Sequence, residues 1–243
     1  AFELGDGDDA LSFNGGDFSG VTFMTFGTGT DSLNFLNTSG NLTAGNITGI
    51  ESTTVGLGAA INIAGTLASQ QVTVEAGGTL SAGASPGLLE ILGDADFLGG
   101  STLLVELGGL LFGTEYDRVD VADDPATTGT VEGTATLADG TIFDIDWFGG
   151  FTALAGNSFD VLVADDIVFT SLASLVFDFT GAVLGAGLSW QTSLETVAGG
   201  REALRLTVVS EESFALNTPS SATFVLAGFL GLAGIRRRYL RRG

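Results

Sequence analysis

Apolar and polar residues alternate in short bursts along most of this chain, and Gly, Asp and Asn separate the bursts. Such alternation predicts β-strands with one buried face, and the residues between them predict tight turns. The clearest pair is Gly5-Asp6-Gly7-Asp8-Asp9-Ala10-Leu11-Ser12-Phe13 and Gly27-Thr28-Gly29-Thr30-Asp31-Ser32-Leu33-Asn34-Phe35, which share five of nine residues at a displacement of 22. That displacement is one turn of a β-solenoid. A third, weaker copy starts at Gly49 and puts Val55 where Leu11 and Leu33 stand. Short β segments follow at 61–63, 71–74 and 79–81; each is too short to bury a face alone, so stacking on neighbouring turns is expected. Residues 141–147 read as a half-exposed strand. Strands at 159–163, 175–179 and 203–209 follow, separated by Gly156, Gly181 and Gly199-Gly200.

One stretch departs from this pattern. Residues 222–235 carry no charge, with Thr223 the single polar side chain, and Arg236, Arg237, Arg238, Arg241 and Arg242 follow at once. Fourteen residues make a helix of about 21 Å against roughly 30 Å of hydrocarbon. Counted over 219–239, with the arginines snorkelling to the interface, the segment is long enough for a C-terminal transmembrane helix. The arginines then set its end in the cytoplasm and place the preceding chain outside. The order of a short Pro motif, an apolar helix and a terminal Arg cluster resembles the C-terminal sorting tails of the PEP-CTERM and exosortase system of Gram-negative bacteria. The family motif is Val-Pro-Glu-Pro. With Pro219 as its second Pro, Asn217 occupies the first and Thr218 the Glu, so the resemblance makes Thr218, Pro219 and Ser220 the sorting motif. It implies an exosortase-like membrane protease as partner and a destination at the cell surface or in extracellular matrix, reached through an inner-membrane-anchored intermediate. The chain begins Ala1-Phe2-Glu3-Leu4, without Met or a signal segment, and is therefore expected to be a mature or truncated form of an exported protein.

Charge narrows the function further. All eight basic residues are Arg, and five lie in the tail; Arg118, Arg201 and Arg205 face 29 acidic residues, leaving a net charge of −26 outside the tail. Such a surface repels nucleic acid and anionic lipid and attracts divalent cations. The absence of His and Lys removes the side chains that ordinarily serve as base, proton shuttle or Schiff-base nucleophile near neutrality. The absence of Cys removes disulfides, zinc-thiolate sites and thiol catalysis. Gly, at 38 residues, is about twice its usual frequency and is spread among Val, Leu, Phe and Thr, as many turns around a packed core require.

Both nonapeptides also fit G-x-G-x-D-x-L and resemble the calcium-binding RTX repeats. The resemblance implies calcium as cofactor, with Asp9 and Asp31 as ligands and Asp6 and Asp8 nearby. Stacked on adjacent turns, Asp9 and Asp31 lie roughly 5 Å apart, where two carboxylates repel unless a cation or water intervenes. Asn37, Asn41 and Asn46 each open an N-x-[ST] triplet, read here as turn and column residues of a solenoid.

From Gly78 the chain reads G-T-L-S-A-G-A-S-P-G, then an apolar strand, then Glu106-Leu107-Gly108-Gly109, then Tyr116-Asp117-Arg118-Val119-Asp120-Val121. As an ordered set over residues 50–210 this resembles the passenger segments of autotransporter adhesins, which are right-handed parallel β-helices. The expected fold is thus all-β: a right-handed parallel β-helix with a C-terminal transmembrane helix. Its parts are solenoid turns over 1–140, aromatic-rich terminal turns and cap over 141–209, a spacer over 210–218 and the tail over 219–243. Phe143, Trp147, Phe148, Phe151, Phe159, Phe169, Phe177, Phe179 and Trp190 enrich the second part, as core and cap in preference to a sugar-binding platform.

The expected role is structural or adhesive and non-catalytic, with surface glycans or matrix as partners and no nucleic acid. Two alternatives stay open: a glycan-active lyase or glycosidase on the same scaffold, or a calcium-dependent carbohydrate-binding module. A lyase would use Asp117, Asp120, Asp123 and Asp124 to hold calcium against a uronate, with Arg118 as the nearest basic group. A glycosidase needs two opposed carboxylates, and nothing in the sequence raises one pair above the rest.

Overall fold

The computed structural model describes residues 2–16, 23–83, 86–124 and 133–211. In chain order the strands are β1 (Phe2–Glu3), β2 (Ala10–Asn14), β3 (Met24–Thr25), β4 (Ser32–Leu36), β5 (Ser39–Thr43), β6 (Ile47–Thr48), β7 (Ser52–Val55), β8 (Ala60–Val74), β9 (Thr79–Ala82) and β10 (Leu88–Phe97). They continue as β11 (Thr102–Leu107), β12 (Arg118–Ala122), β13 (Thr134–Leu137), β14 (Ile142–Trp147), β15 (Ser158–Ala164), β16 (Asp166–Val168), β17 (Val176–Gly181), β18 (Leu188–Thr196) and β19 (Glu202–Ser210). The fold is all-β.

The 22-residue repeat is a pairing register. β2 runs parallel to β4 with Leu11 opposite Leu33 and Phe13 opposite Phe35. Parallel pairing carries the same two inward positions forward. One column runs Leu33, Thr53, Val72, Ala95, Ala135, Ile167; its neighbour runs Phe35, Val55, Val74, Phe97, Leu137. A third column, on the facing ladder, runs Ile61, Leu80, Leu103, Phe143, Phe177. Alternation explains them: in β10 and β11 every second residue is buried, and the intervening Glu90, Asp94, Asp96 and Glu106 lie on the other face. Phe26, Phe35, Phe97, Phe143 and Phe159 are fully buried, each worth about 1.5–3 kcal/mol. Thr53, the polar member of the first column, is satisfied by Ser69, with the hydroxyls 3.2 Å apart.

The expected β-helix with a transmembrane helix is not what the structure contains. Sixteen of the strands form a curled, half-barrel sheet of mixed direction, and β1, β3 and β6 form a separate parallel sheet. Regular coiling fails because the register offset drifts: it is 22 at Leu11↔Leu33, 20 at Leu33↔Thr53, 30 at Ile91↔Val121 and 43 at Val119↔Leu162. Opposite Gly93, whose φ is 141°, the β8–β10 register shifts by one residue between Leu92 and Asp94, and along its other edge β10 pairs first with β12 and then with β13. A side chain there would meet the Ser69 carbonyl. The sheet then ends in an antiparallel set, β15 against β19 and β19 against β18.

Among the described residues the only helical segments are three-residue 3-10 turns, and none is long and apolar enough to cross a membrane. Residues 219–243, with Thr218 before them, lie outside the described residues. Two smaller expectations also change. Val55 stands opposite Phe35, two places from its expected partner Leu33, and the segments 61–63 and 71–74 are the two ends of one continuous strand, β8.

Candidate functional site

Between β1 and β2 the turn Gly5–Asp9 lies directly on its copy Gly27–Asp31. Gly27, whose φ is ordinary, must lack a side chain because a Cβ there would run into the Gly5 carbonyl. The turns are tied by the Gly7 N–H to the Thr28 carbonyl at 2.8 Å, the Thr28 hydroxyl to Asp6 Oδ1 at 3.0 Å, and the Thr30 N–H to Asp8 Oδ1 at 2.9 Å. Asp6 and Asp8 are exposed.

Asp9 and Asp31 belong to a different device. Asp31 Oδ1 accepts the Asp9 N–H at 2.7 Å, and Glu51 Oε2 accepts the Asp31 N–H at 2.6 Å. Each acid thus caps the backbone of the rung before it. Asp31 is only 1% exposed, and the second oxygens of Asp9 and Asp31 are buried without a hydrogen-bond partner. Glu51 was not among the predicted ligands. The offset shrinks to 20 there, and the longer Glu side chain fills the place an Asp takes in the two exact copies. The four predicted ligands therefore share one edge, but no group of three acids among the described residues converges as a metal site.

The predicted acidic cluster at 117–124 separates. Asp117 is 1% exposed; its two oxygens accept the Gly87 N–H at 2.6 Å and the Glu106 N–H at 3.0 Å. Burial is the main cause that pushes its carboxyl up to about 7, the backbone donors opposing and the Glu106 charge adding to the rise. Asp120 is held by Arg118 at 2.6 Å and by Arg201 at 3.4 Å, and Arg201 also reaches Asp165 Oδ1 at 2.7 Å. Asp124 lines a shallow recess with Glu51 and Gln70. Arg118 lies 4.0 Å over the Phe112 ring. Arg205 grips Asp160 with two bonds of 2.6 and 2.9 Å, which raise its already high pKa. Arg201 and Arg205 thus fasten the β19 end to β12 and β15, while Arg118 pairs within β12 itself. Sequence reasoning had no view of these pairs, because Arg201 and Asp120 are 81 residues apart.

The aromatic residues form a third cluster. Trp190 stacks on Phe179 at 5.1 Å and Phe143 on Phe177 at 5.2 Å, while Trp147 sits 5.7 Å from both Phe151 and Trp190. Both indoles are fixed by backbone carbonyls, Trp147 by Val183 and Trp190 by Ala182, each at 3.0 Å. Beside Trp147 and Phe151 is a groove of about 160 Å³, in which Thr152 is the one polar side chain. Phe143 and Phe159 are core, and most of the others pack half-buried against it; Phe148 is exposed.

No protein-family model matches this chain, and neither does any curated protein.

Proposed function

We propose that the protein is an exported, non-catalytic structural or adhesive component of the cell surface or extracellular matrix of a Gram-negative bacterium. The observation that carries this reading is how the polar side chains are used. They form ladders of like or matched residues from strand to strand: Asn62 to Asn41 at 2.8 Å, and Asp31 and Glu51 capping successive rungs. The lyase alternative takes Arg118 as its base, and the ion pair with Asp120 and the ring of Phe112 count against that use. Export and sorting are supported by the sequence alone: the Thr218-Pro219-Ser220 motif, the apolar run and the arginines, read by an exosortase-like protease.

Calcium is part of this proposal, acting between Asp9 and Asp31, whose second oxygens lack partners. Two measurements test it. Antibody labelling of intact cells should detect residues 2–211 outside, and replacement of Thr218, Pro219 and Ser220 should abolish the signal; label found only after lysis defeats the surface assignment. Thermal unfolding with millimolar calcium should rise by several degrees over magnesium, and equal midpoints remove calcium from the account.

A further inference from the structure

We propose that two copies of the chain pair through one uncharged edge of the sheet, built from the connections that follow β11, β14 and β17, with the apolar loop of each copy seated in the aromatic groove of the other. Topology makes this edge. β11, β14 and β17 are parallel neighbours, Leu107 standing opposite Trp147 and Asp146 opposite Gly181, so the three connections all leave on one side. They meet there: the Phe148 N–H donates to the Leu107 carbonyl at 2.9 Å, and the Trp147 indole to the Val183 carbonyl at 3.0 Å.

Charge and exposure set the edge apart. Residues 107–114, 147–159 and 179–194 contain no charged side chain, in a chain with 29 acids. Leu110, Leu111, Phe112, Phe148, Leu154 and Val183 are six of the twelve large apolar side chains exposed among the described residues, Leu111 at 63% and Val183 at 73%. Side chains open to that degree leave roughly 500 Å² of apolar surface uncovered, a size at which a patch marks an interaction site. A specific interface takes about 800 Å² from each partner, so these six side chains are most of one. The loop between β11 and β12 is also held in place. Glu115 turns its carboxylate back to accept the Leu110 and Leu111 N–H groups at 2.9 and 3.1 Å, and the Glu115 and Tyr116 N–H groups donate to the Leu111 carbonyl. Apolar side chains presented on a backbone fixed in this way lose little further freedom on association.

A second copy is the partner this edge fits. Each copy carries a net charge of −26 outside the tail, so two copies repel unless they meet where there is no charge. The loop carrying Leu110, Leu111 and Phe112 lies beside the groove of about 160 Å³ lined by Trp147, Phe151, Val183 and Leu184, and a two-fold axis between them places each loop in the other copy's groove. A flat lipid surface would leave that groove unfilled. The pairing needs no metal and holds whether or not the chain reaches the cell surface.

The test is sedimentation velocity of the full chain in EDTA. A concentration-dependent dimer is expected, and added salt should tighten it, because the charges that repel lie away from the edge and salt screens them. Leu111→Glu and Val183→Glu replace exposed side chains and leave the folded core untouched; each should weaken the dimer about tenfold or more. Leu111→Arg chains mixed with Val183→Glu chains should associate better than either alone, as loop-in-groove pairing requires. A monomer at every concentration, a dimer indifferent to the Glu substitutions, a mixture no better than its parts, or a dimer loosened by salt overturns the proposal. So does a monomer that floats with phosphatidylcholine vesicles until Leu111→Glu releases it, which would give the edge to lipid.

Discussion

Asp117 offers the sharpest physical test of how this sheet is held. Its carboxyl sits in the interior, where it joins Gly87, just before β10, to Glu106 on β11, and burial raises it from 3.8 to about 7. An acid with a raised folded pKa takes up a proton on folding between those two values. Stability from this group is therefore greatest at low pH and is lost as pH climbs from about 4 to about 7. The whole interval is worth about 4 kcal/mol, and the part between pH 5 and pH 8 about 3 kcal/mol. The perturbation is Asp117→Asn, which does not titrate. Its carbonyl keeps one backbone donor and its amide opposes the other, at a cost of about 1–3 kcal/mol at every pH. The assay is urea unfolding in EDTA at pH 5 and pH 8, followed by the fluorescence of Trp147 and Trp190. Repulsion among the other carboxylates weakens both proteins as pH rises, so the informative quantity is the double difference. The unaltered chain should lose about 3 kcal/mol more than the variant. Equal losses would mean that Asp117 stays ionised in the fold, and the burial argument fails.

Other outcomes follow from the geometry. Gly27→Ala drives a Cβ into the Gly5 carbonyl and should cost about 1–3 kcal/mol, seen as faster amide exchange in β2 with β11 and β14 unchanged. Phe143→Ala empties a fully buried site in the third column and should cost about 3–5 kcal/mol, lowering Tm by about 10 °C or more; a shift under 2 °C would show that the column is not close-packed. Arg205→Ala leaves Asp160 without its bidentate partner and should cost about 2 kcal/mol, with the loss shrinking when Asp160→Asn is combined with it in a double-mutant cycle.

The first two rungs were legible because Leu and Phe recur at alternate positions and the glycines recur with them. At the third, the register slips by two. Glu51 replaces Asp, and reach rather than residue type keeps the cap in place, which a pattern of identities does not register. The antiparallel end was hidden for a different reason. In β18 nearly every residue is half-buried, so its side chains carry no clear two-residue alternation, and Gly199-Gly200 reads as a break between strands although it turns the chain back into β19. The four metal candidates lie along one edge, and the sequence could not show that backbone N–H groups already occupy one oxygen of Asp31 and one of Glu51. The arginine pairs depend on contacts made only after the sheet curls.

β8 is the one strand that pairs with β5, β7, β9 and β10. A gene that duplicates a rung ahead of β4 inserts a unit whose two faces already match, so the chain can lengthen there in steps of 22 residues. A duplication within or beyond β8 meets offsets of a different size on each side and breaks several ladders at once. Length variants of this protein should therefore differ at their N-terminal rungs, while the region from β8 to β19 keeps a fixed size.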